Sequence, residues 1–391
     1  MMQQFLIVVF LIFGLLNPVT GNKYDLILGI FLLVFVGYNI FSKAASRRQN
    51  FPILVIILVF LTTSVITGGE LRQMLTRDLP FFTYNNDPGV FLKTYKEIES
   101  GQPYYLSLLN AHDGRFSQRG MPTDIWGLRM PTLFYIWSFL PGEGLGIYFL
   151  FITLSSAALY CAYKISEKYF ERNIGLLSSY LLFPYLHYAA RDQMMLETEW
   201  WGVLIFIIGL YFLLFRKYFL ATVLLSLSTL IRELFIIPVF LLLIYYFITN
   251  RKLIYIAAIP FFAFGFLFLF HLTAASYYID AYGSLLKPRV IPFGYTFLQQ
   301  TLAYGSWEYF FYKFKPFYIF FILAIVGSIY VYLRKSRVDG LIILSSFLIF
   351  PIVFLKIGTL PFNDYWGIMF MPQVLIFAPL SLGWFLKSSK K

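Results

Sequence analysis

Residues 143–163 read EGLGIYFLFITLSSAALYCAY, and residues 164–172 that follow read KISEKYFER. An apolar run of this length can cross the roughly 30 Å hydrocarbon core of a bilayer as an α-helix. Behind it stand Lys164, Lys168 and Arg172, and short loops rich in Lys and Arg stay on the cytoplasmic side. The same pairing of apolar run and basic cluster recurs along the chain. It predicts an all-α fold: a polytopic transmembrane helix bundle forming a single integral membrane domain over 1–391.

Apolar runs mark about twelve spans, near 4–19, 25–42, 51–69, 143–163, 174–190, 200–215, 218–231, 234–249, 253–272, 317–333, 341–356 and 366–386. The stretch 126–141 is apolar but short and bounded by proline, so it reads as an interfacial or re-entrant helix. Composition agrees, with 59% hydrophobic and 13% charged residues and a mean hydropathy of +0.73, where a soluble domain carries about 25% charged residues. The run 4–19 lacks a basic leader and another span follows at once, so we read it as a retained helix. Cys161 is the single cysteine, which excludes an internal disulfide and a cysteine-based metal site.

The net charge of +12 does not imply nucleic acid, because the cations lie as short clusters between apolar runs. Lys43, Arg47 and Arg48, then Arg216 with Lys217, Arg251 with Lys252, Arg334, Lys335 and Arg337, and finally Lys387, Lys390 and Lys391 fall on the side of Lys164. Both termini are therefore expected in the cytoplasm of a multi-pass cell-membrane protein. Of 19 acids, Glu167, Glu171 and Asp339 share that side, and the other 16 lie on or near the outer side. Acids contribute little to orientation, so their skew points to polar work done outside. Two outer loops are long, 70–142 and 273–316, and long ordered loops usually carry function.

The first loop opens its polar part with Tyr84-Asn85-Asn86-Asp87-Pro88-Gly89, continues through an amphipathic stretch from Phe91 to Glu99, and reaches Ser100-Gly101-Gln102-Pro103-Tyr104-Tyr105. Beyond it lies a Pro-led apolar helix, Met130-Pro131-Thr132-Leu133-Phe134-Tyr135. This succession resembles the GT-C superfamily of polytopic membrane glycosyltransferases, closest to its polyprenol-phosphate-sugar-dependent mannosyltransferase and arabinosyltransferase branches. The resemblance covers about two thirds of the chain in layout, through short motifs. The family usually places its catalytic loop after the first span, whereas here it follows the third. A double proline common in the family is Met130-Pro131-Thr132 here.

The resemblance implies a polyprenyl-phosphate-linked sugar donor, a glycan, lipid or protein acceptor, and an active site at the outer face. It also implies that a first-loop acid, Asp87, is the catalytic base. Glycosyl transfer from a lipid phosphate needs a base for the acceptor hydroxyl and cationic or dipolar groups for the leaving phosphate. The other reading of Asp87 is a helix cap or Asx turn, since Asn-Asn-Asp-Pro-Gly suits either.

A second cluster runs from Arg191-Asp192-Gln193 to Glu197-Thr198-Glu199. Asp192 and Glu199 are seven apart, so on one helix they would share a face. The family often carries a second acid in such a loop, and Glu197 and Glu199 are our candidates, with capping the plainer role for Asp192. The third cluster is Arg232-Glu233, between two strongly apolar runs. Charge there is expensive and usually functional, which makes Arg232 a lipid-phosphate contact or, alternatively, half of an interfacial salt bridge. Arg191 and Arg129 are further phosphate candidates, and Tyr104 and Tyr105 could stack on sugar rings.

His112, His187 and His271 all fall outside, without ligand spacing. No ligand set for a divalent metal stands out, and the resemblance admits metal-dependent and metal-independent members. Two other classes share the layout. A transporter or flippase for lipid-linked glycans should show internal repeats and polar residues or broken helices near the mid-membrane, whereas the charges here lie at span ends and no repeat is evident. A polymerase for such glycans should carry its main loop late.

Overall fold

The computed structural model describes residue 4 and residues 7–12, 23–41, 50–76, 87–112, 128–170, 172–279, 294–303, 317–355 and 361–385. Among them the chain is helical, without a strand. The helices are α1 Lys23–Phe41, α2 Phe51–Thr67, α3 Gly69–Thr76, α4 Asp87–Glu99, α5 Tyr104–His112, α6 Thr132–Ser138, α7 Leu145–Tyr169 and α8 Arg172–Ala189. They continue as α9 Thr198–Leu214, α10 Tyr218–Ile231, α11 Ile236–Thr249, α12 Tyr255–Ile279, α13 Gly294–Ala303, α14 Phe317–Arg334, α15 Arg337–Phe354 and α16 Met371–Phe377.

Three helices are long and apolar enough to cross a membrane: Leu145–Tyr169, Tyr255–Tyr278 and Arg337–Phe354. The bent pair Phe51–Thr67 and Gly69–Thr76 makes a fourth if counted as one span. Other apolar runs give shorter helices of 10–17 residues, which reach only about 15–25 Å at 1.5 Å per residue. The expected run 366–386 shows why. It divides into a 3₁₀ stretch Pro361–Met369, the helix α16, and a second 3₁₀ stretch Ala378–Trp384. Pro372 and Pro379 stand at the starts of the last two, where the missing N–H is tolerated. Hydropathy counts apolar residues and does not register such breaks. The stretch 126–141 yields only the seven-residue α6 among its described residues, too short to span.

The first long loop is built against the bundle. Its helices α3, α4, α5 and α6 bury Leu71, Leu75, Val90, Phe91, Tyr95, Leu108 and Trp137, and α4 packs on α5, α6 and the turn Gln193–Leu196. Residues 77–86 and 113–127 of this loop, and 280–293 and 304–316 of the second, lie outside the described residues. In the second loop α13 packs against Pro361–Met369.

Two glycines set the two ends of α3. Gly68 divides α2 from α3 at a 60° bend. A Cβ there would collide with the Tyr148 hydroxyl, which donates to the Ser64 carbonyl. Gly144 starts α7 at φ +101, a left-handed conformation that glycine adopts without steric penalty. A Cβ at Gly144 would also stand 2.7 Å from the Leu75 carbonyl oxygen. The start of α7 is thereby seated on the end of α3.

At the far end of α7, the fully buried Asp339 at the start of α15 gathers three partners. Lys168 Nζ lies 2.7 Å from Oδ2, Arg216 Nη2 lies 2.6 Å from Oδ1, and the Tyr169 hydroxyl donates to Oδ2 at 2.8 Å. Lys168 also donates to the Leu214 carbonyl that ends α9. Lys168 and Arg216 belong to the basic clusters that the sequence places on a single side.

Candidate functional site

Four separate stretches of sequence meet at the opposite end of α9. Asp87 is the first residue of α4. Arg129 lies just ahead of α6, with its guanidinium near the Phe91 ring. Glu197 is held extended (φ −64°, ψ 129°) by the turn Gln193–Leu196, and Glu199 sits in the first turn of α9. Arg232 and Glu233 occupy the break between α10 and α11. A fifth contributor, Tyr365, comes from Pro361–Met369.

The Tyr365 hydroxyl donates to Asp87 Oδ2 at 3.0 Å and accepts from Arg129 Nη2 at 3.2 Å. Arg129 Nη2 stands 3.6 Å from Glu199 Oε1, and its Nη1 stands 3.9 Å from Glu233 Oε1. Arg232 Nε pairs with Glu199 Oε1 at 2.7 Å, and its Nη1 contacts Glu233 Oε1. Thr198 donates to the second oxygen of Glu199 at 3.1 Å. The Arg232 guanidinium lies over the Trp366 ring, 5.7 Å from its centroid.

This is deep burial for so much charge: Arg232 is 1% exposed, Glu199 0% and Glu197 2%. Ion pairs at such depth require near-complete partnering to offset desolvation. Glu197 Oε2, Glu233 Oε2 and Arg232 Nη2 have no protein hydrogen-bond partner among the described residues. The carboxyl groups of Asp87, Glu197, Glu199 and Glu233 outnumber the two guanidiniums, and among the described residues neither guanidinium pairs with Glu197. Burial, followed by the nearby Asp87 and Glu199 carboxyls, pushes the Glu197 carboxyl well above the usual range. For Arg129 burial disfavours the charge, but Tyr365, Glu199, Asp87 and Glu197 together outweigh it and raise the guanidinium above its ordinary value.

Of the residues expected from sequence, Asp87, Arg129, Glu197, Glu199, Arg232 and Glu233 come together. Asp87 is the first residue of α4 and also accepts from Tyr365, so a helix start and a site position coincide. Asp192 does not share a helix face with Glu199: the turn Gln193–Leu196 is 3₁₀ and ends at extended Glu197. Asp192 Oδ1 instead caps that turn, accepting from the Met194 N–H at 3.0 Å. Arg191, half-buried, lies just ahead of it. Tyr104 is not a sugar platform, because its ring is buried and its hydroxyl donates to the Arg129 carbonyl. Tyr105 faces His271.

Tyr365 and Trp366 carry no signal in the sequence. They stand in a run that reads only as the edge of a span, and an aromatic pair in an aromatic-rich chain is not distinctive. Among the described residues no group of three His, Cys, Asp or Glu could hold a metal ion. Compared with known proteins, the chain matches no protein-family model, no curated protein and no solved structure.

Proposed function

We propose that the chain is a GT-C-like membrane glycosyltransferase of about twelve spans that moves a sugar from a polyprenyl-phosphate carrier to an acceptor hydroxyl at the outer face. The observation that carries this reading is the buried cluster itself. A carboxylate at a helix start, two guanidiniums and a tyrosine that bridges the carboxylate to one of them converge at one end of the bundle. Glycosyl transfer from a lipid phosphate asks for this combination.

Asp87 serves as the base. It takes the proton of the acceptor hydroxyl as that oxygen bonds to the anomeric carbon, and the carbon–oxygen bond to the phosphate breaks. The bonding electrons leave with the polyprenyl phosphate. Tyr365 orients the Asp87 carboxylate by donating to one of its oxygens, as a positioned base requires. Arg129 and Arg232 lie close enough together to receive the phosphate. Guanidinium binds phosphate through parallel hydrogen bonds that an ammonium cannot copy. The unfilled donor at Arg232 Nη2 favours a ligand there. Charge at the ends of the apolar runs, in a sequence with no evident internal repeat, fits an enzyme better than a transporter.

The test works whichever sugar the carrier holds. Purified protein in proteoliposomes is given a panel of polyprenyl-phosphate-linked hexoses and pentoses together with a lipid-glycan extract as acceptor, water being the default acceptor in its absence, and free polyprenyl phosphate is measured. Release with at least one donor is expected, falling by a factor of about 100 or more in Asp87→Asn with thermal stability unchanged. Full turnover in that variant would remove Asp87 as the base.

A further inference from the structure

The short segment Leu128–Arg129 that presents the guanidinium is gripped from two sides. On one side the Tyr104 hydroxyl donates to the Arg129 carbonyl. On the other, His271 Nε2 lies 3.2 Å from the Leu128 carbonyl oxygen. A carbonyl can only accept, so Nε2 carries the hydrogen, and in a neutral imidazole Nδ1 must then be an acceptor. Tyr105 meets that requirement, its hydroxyl lying 2.8 Å from His271 Nδ1. The Tyr105 ring also stacks on His271 and on Tyr278, with centroids 5.6 and 5.8 Å away. His271 is 2% exposed, and both of its ring nitrogens are used.

We infer that His271, aligned by Tyr105, is a positioning residue that sets the place of Arg129 in the charged cluster by fixing the Leu128 carbonyl. The geometry assigns the two tyrosines of one turn different tasks on the same segment. Tyr104 fixes the carbonyl of Arg129 itself. Tyr105 selects the tautomer of the histidine that fixes the carbonyl before it. An α12 residue, far away in sequence, thereby controls a guanidinium through the backbone that carries it. The effect on phosphate binding rests on the proposed function, whereas the clamp does not.

Two measurements separate these. In full-length protein with ¹⁵N-labelled histidine, one of the three rings should show the neutral Nε2–H form, with a hydrogen-bonded Nδ1 whose shift changes in Tyr105→Phe. A cationic ring, an Nδ1–H form, or no response to Tyr105→Phe would overturn the clamp. The second measurement is a double-mutant cycle of His271→Ala and Arg129→Lys, read as affinity for farnesyl phosphate. Misplacing a binding group by about 1 Å can cost about 10- to 100-fold, so His271→Ala alone should weaken binding on that scale. Combined with Arg129→Lys it should add little. Additive losses would overturn the positioning role. Tyr105→Phe, which removes one hydroxyl, repeats the cycle should His271→Ala misfold. If wild-type protein does not bind farnesyl phosphate, the phosphate reading fails separately. The cycle is then read in melting temperature, where coupling supports the inference and additivity overturns it.

Discussion

Glu197 and Glu199 are two residues apart and both deeply buried, yet they should respond oppositely to the same change. Glu199 is held by Arg232 Nε and Thr198. Breaking a buried pair by removing one charge costs about 3–5 kcal/mol, so Glu199→Gln should lower the melting temperature clearly. Glu197 pairs with no cation among the described residues, and its carboxyl is raised in the folded protein. The stability contributed by a raised group is fully present below its unfolded value and is lost as pH rises through its folded value. Glu197→Gln, neutral at every pH, should therefore match wild type at acid pH and overtake it as pH increases. Melting curves of both variants across pH check this, and parallel behaviour would contradict it. Sequence reasoning reaches both acids but cannot divide them, because the difference lies in which one faces Arg232. That contact joins residues from two helices and has no local signature. Arg232 and Glu233 are legible for a simpler reason: charge between long apolar runs is expensive and is kept for a purpose, whereas Asp87 is reached through its Asn-Asn-Asp-Pro-Gly turn and the resemblance.

At the scale of elements, the joint between α3 and α7 should tolerate little. Gly144→Ala introduces both a left-handed alanine and a Cβ against the Leu75 carbonyl. The conformational part alone costs roughly 1–2 kcal/mol. The variant should melt lower, which thermal denaturation of the purified protein checks. Equal melting temperature would mean that the joint is looser than its contacts suggest. The helices themselves are largely legible: α10 ends where its apolar run ends, and α14 deviates by a single residue. Length is harder. The C-terminal run reads as one span because its prolines are compatible with helix starts, and only the packing of Pro361–Met369 on α9 and α13 reveals a break that delivers Tyr365 to the site.

For the whole molecule, the charge clusters at the two ends of α9 carry the orientation argument. Single cysteines in a Cys161→Ala background, labelled from outside intact cells, should react within 70–142 and 273–316. They should not react at the termini or at 334–337. Cys161 is buried, so its removal should be mild. Labelling at 334–337 would invert the proposed topology.

Those two clusters have a mechanical consequence. From Glu199 to Leu214, α9 spans about 22 Å at 1.5 Å per residue, and charged contacts hold it at each end. Sliding it by one turn, about 5.4 Å, would pull Glu199 from Arg232 and the Leu214 carbonyl from Lys168 together. The helix behaves as a strut of fixed axial register, and piston-like strokes along it are forbidden.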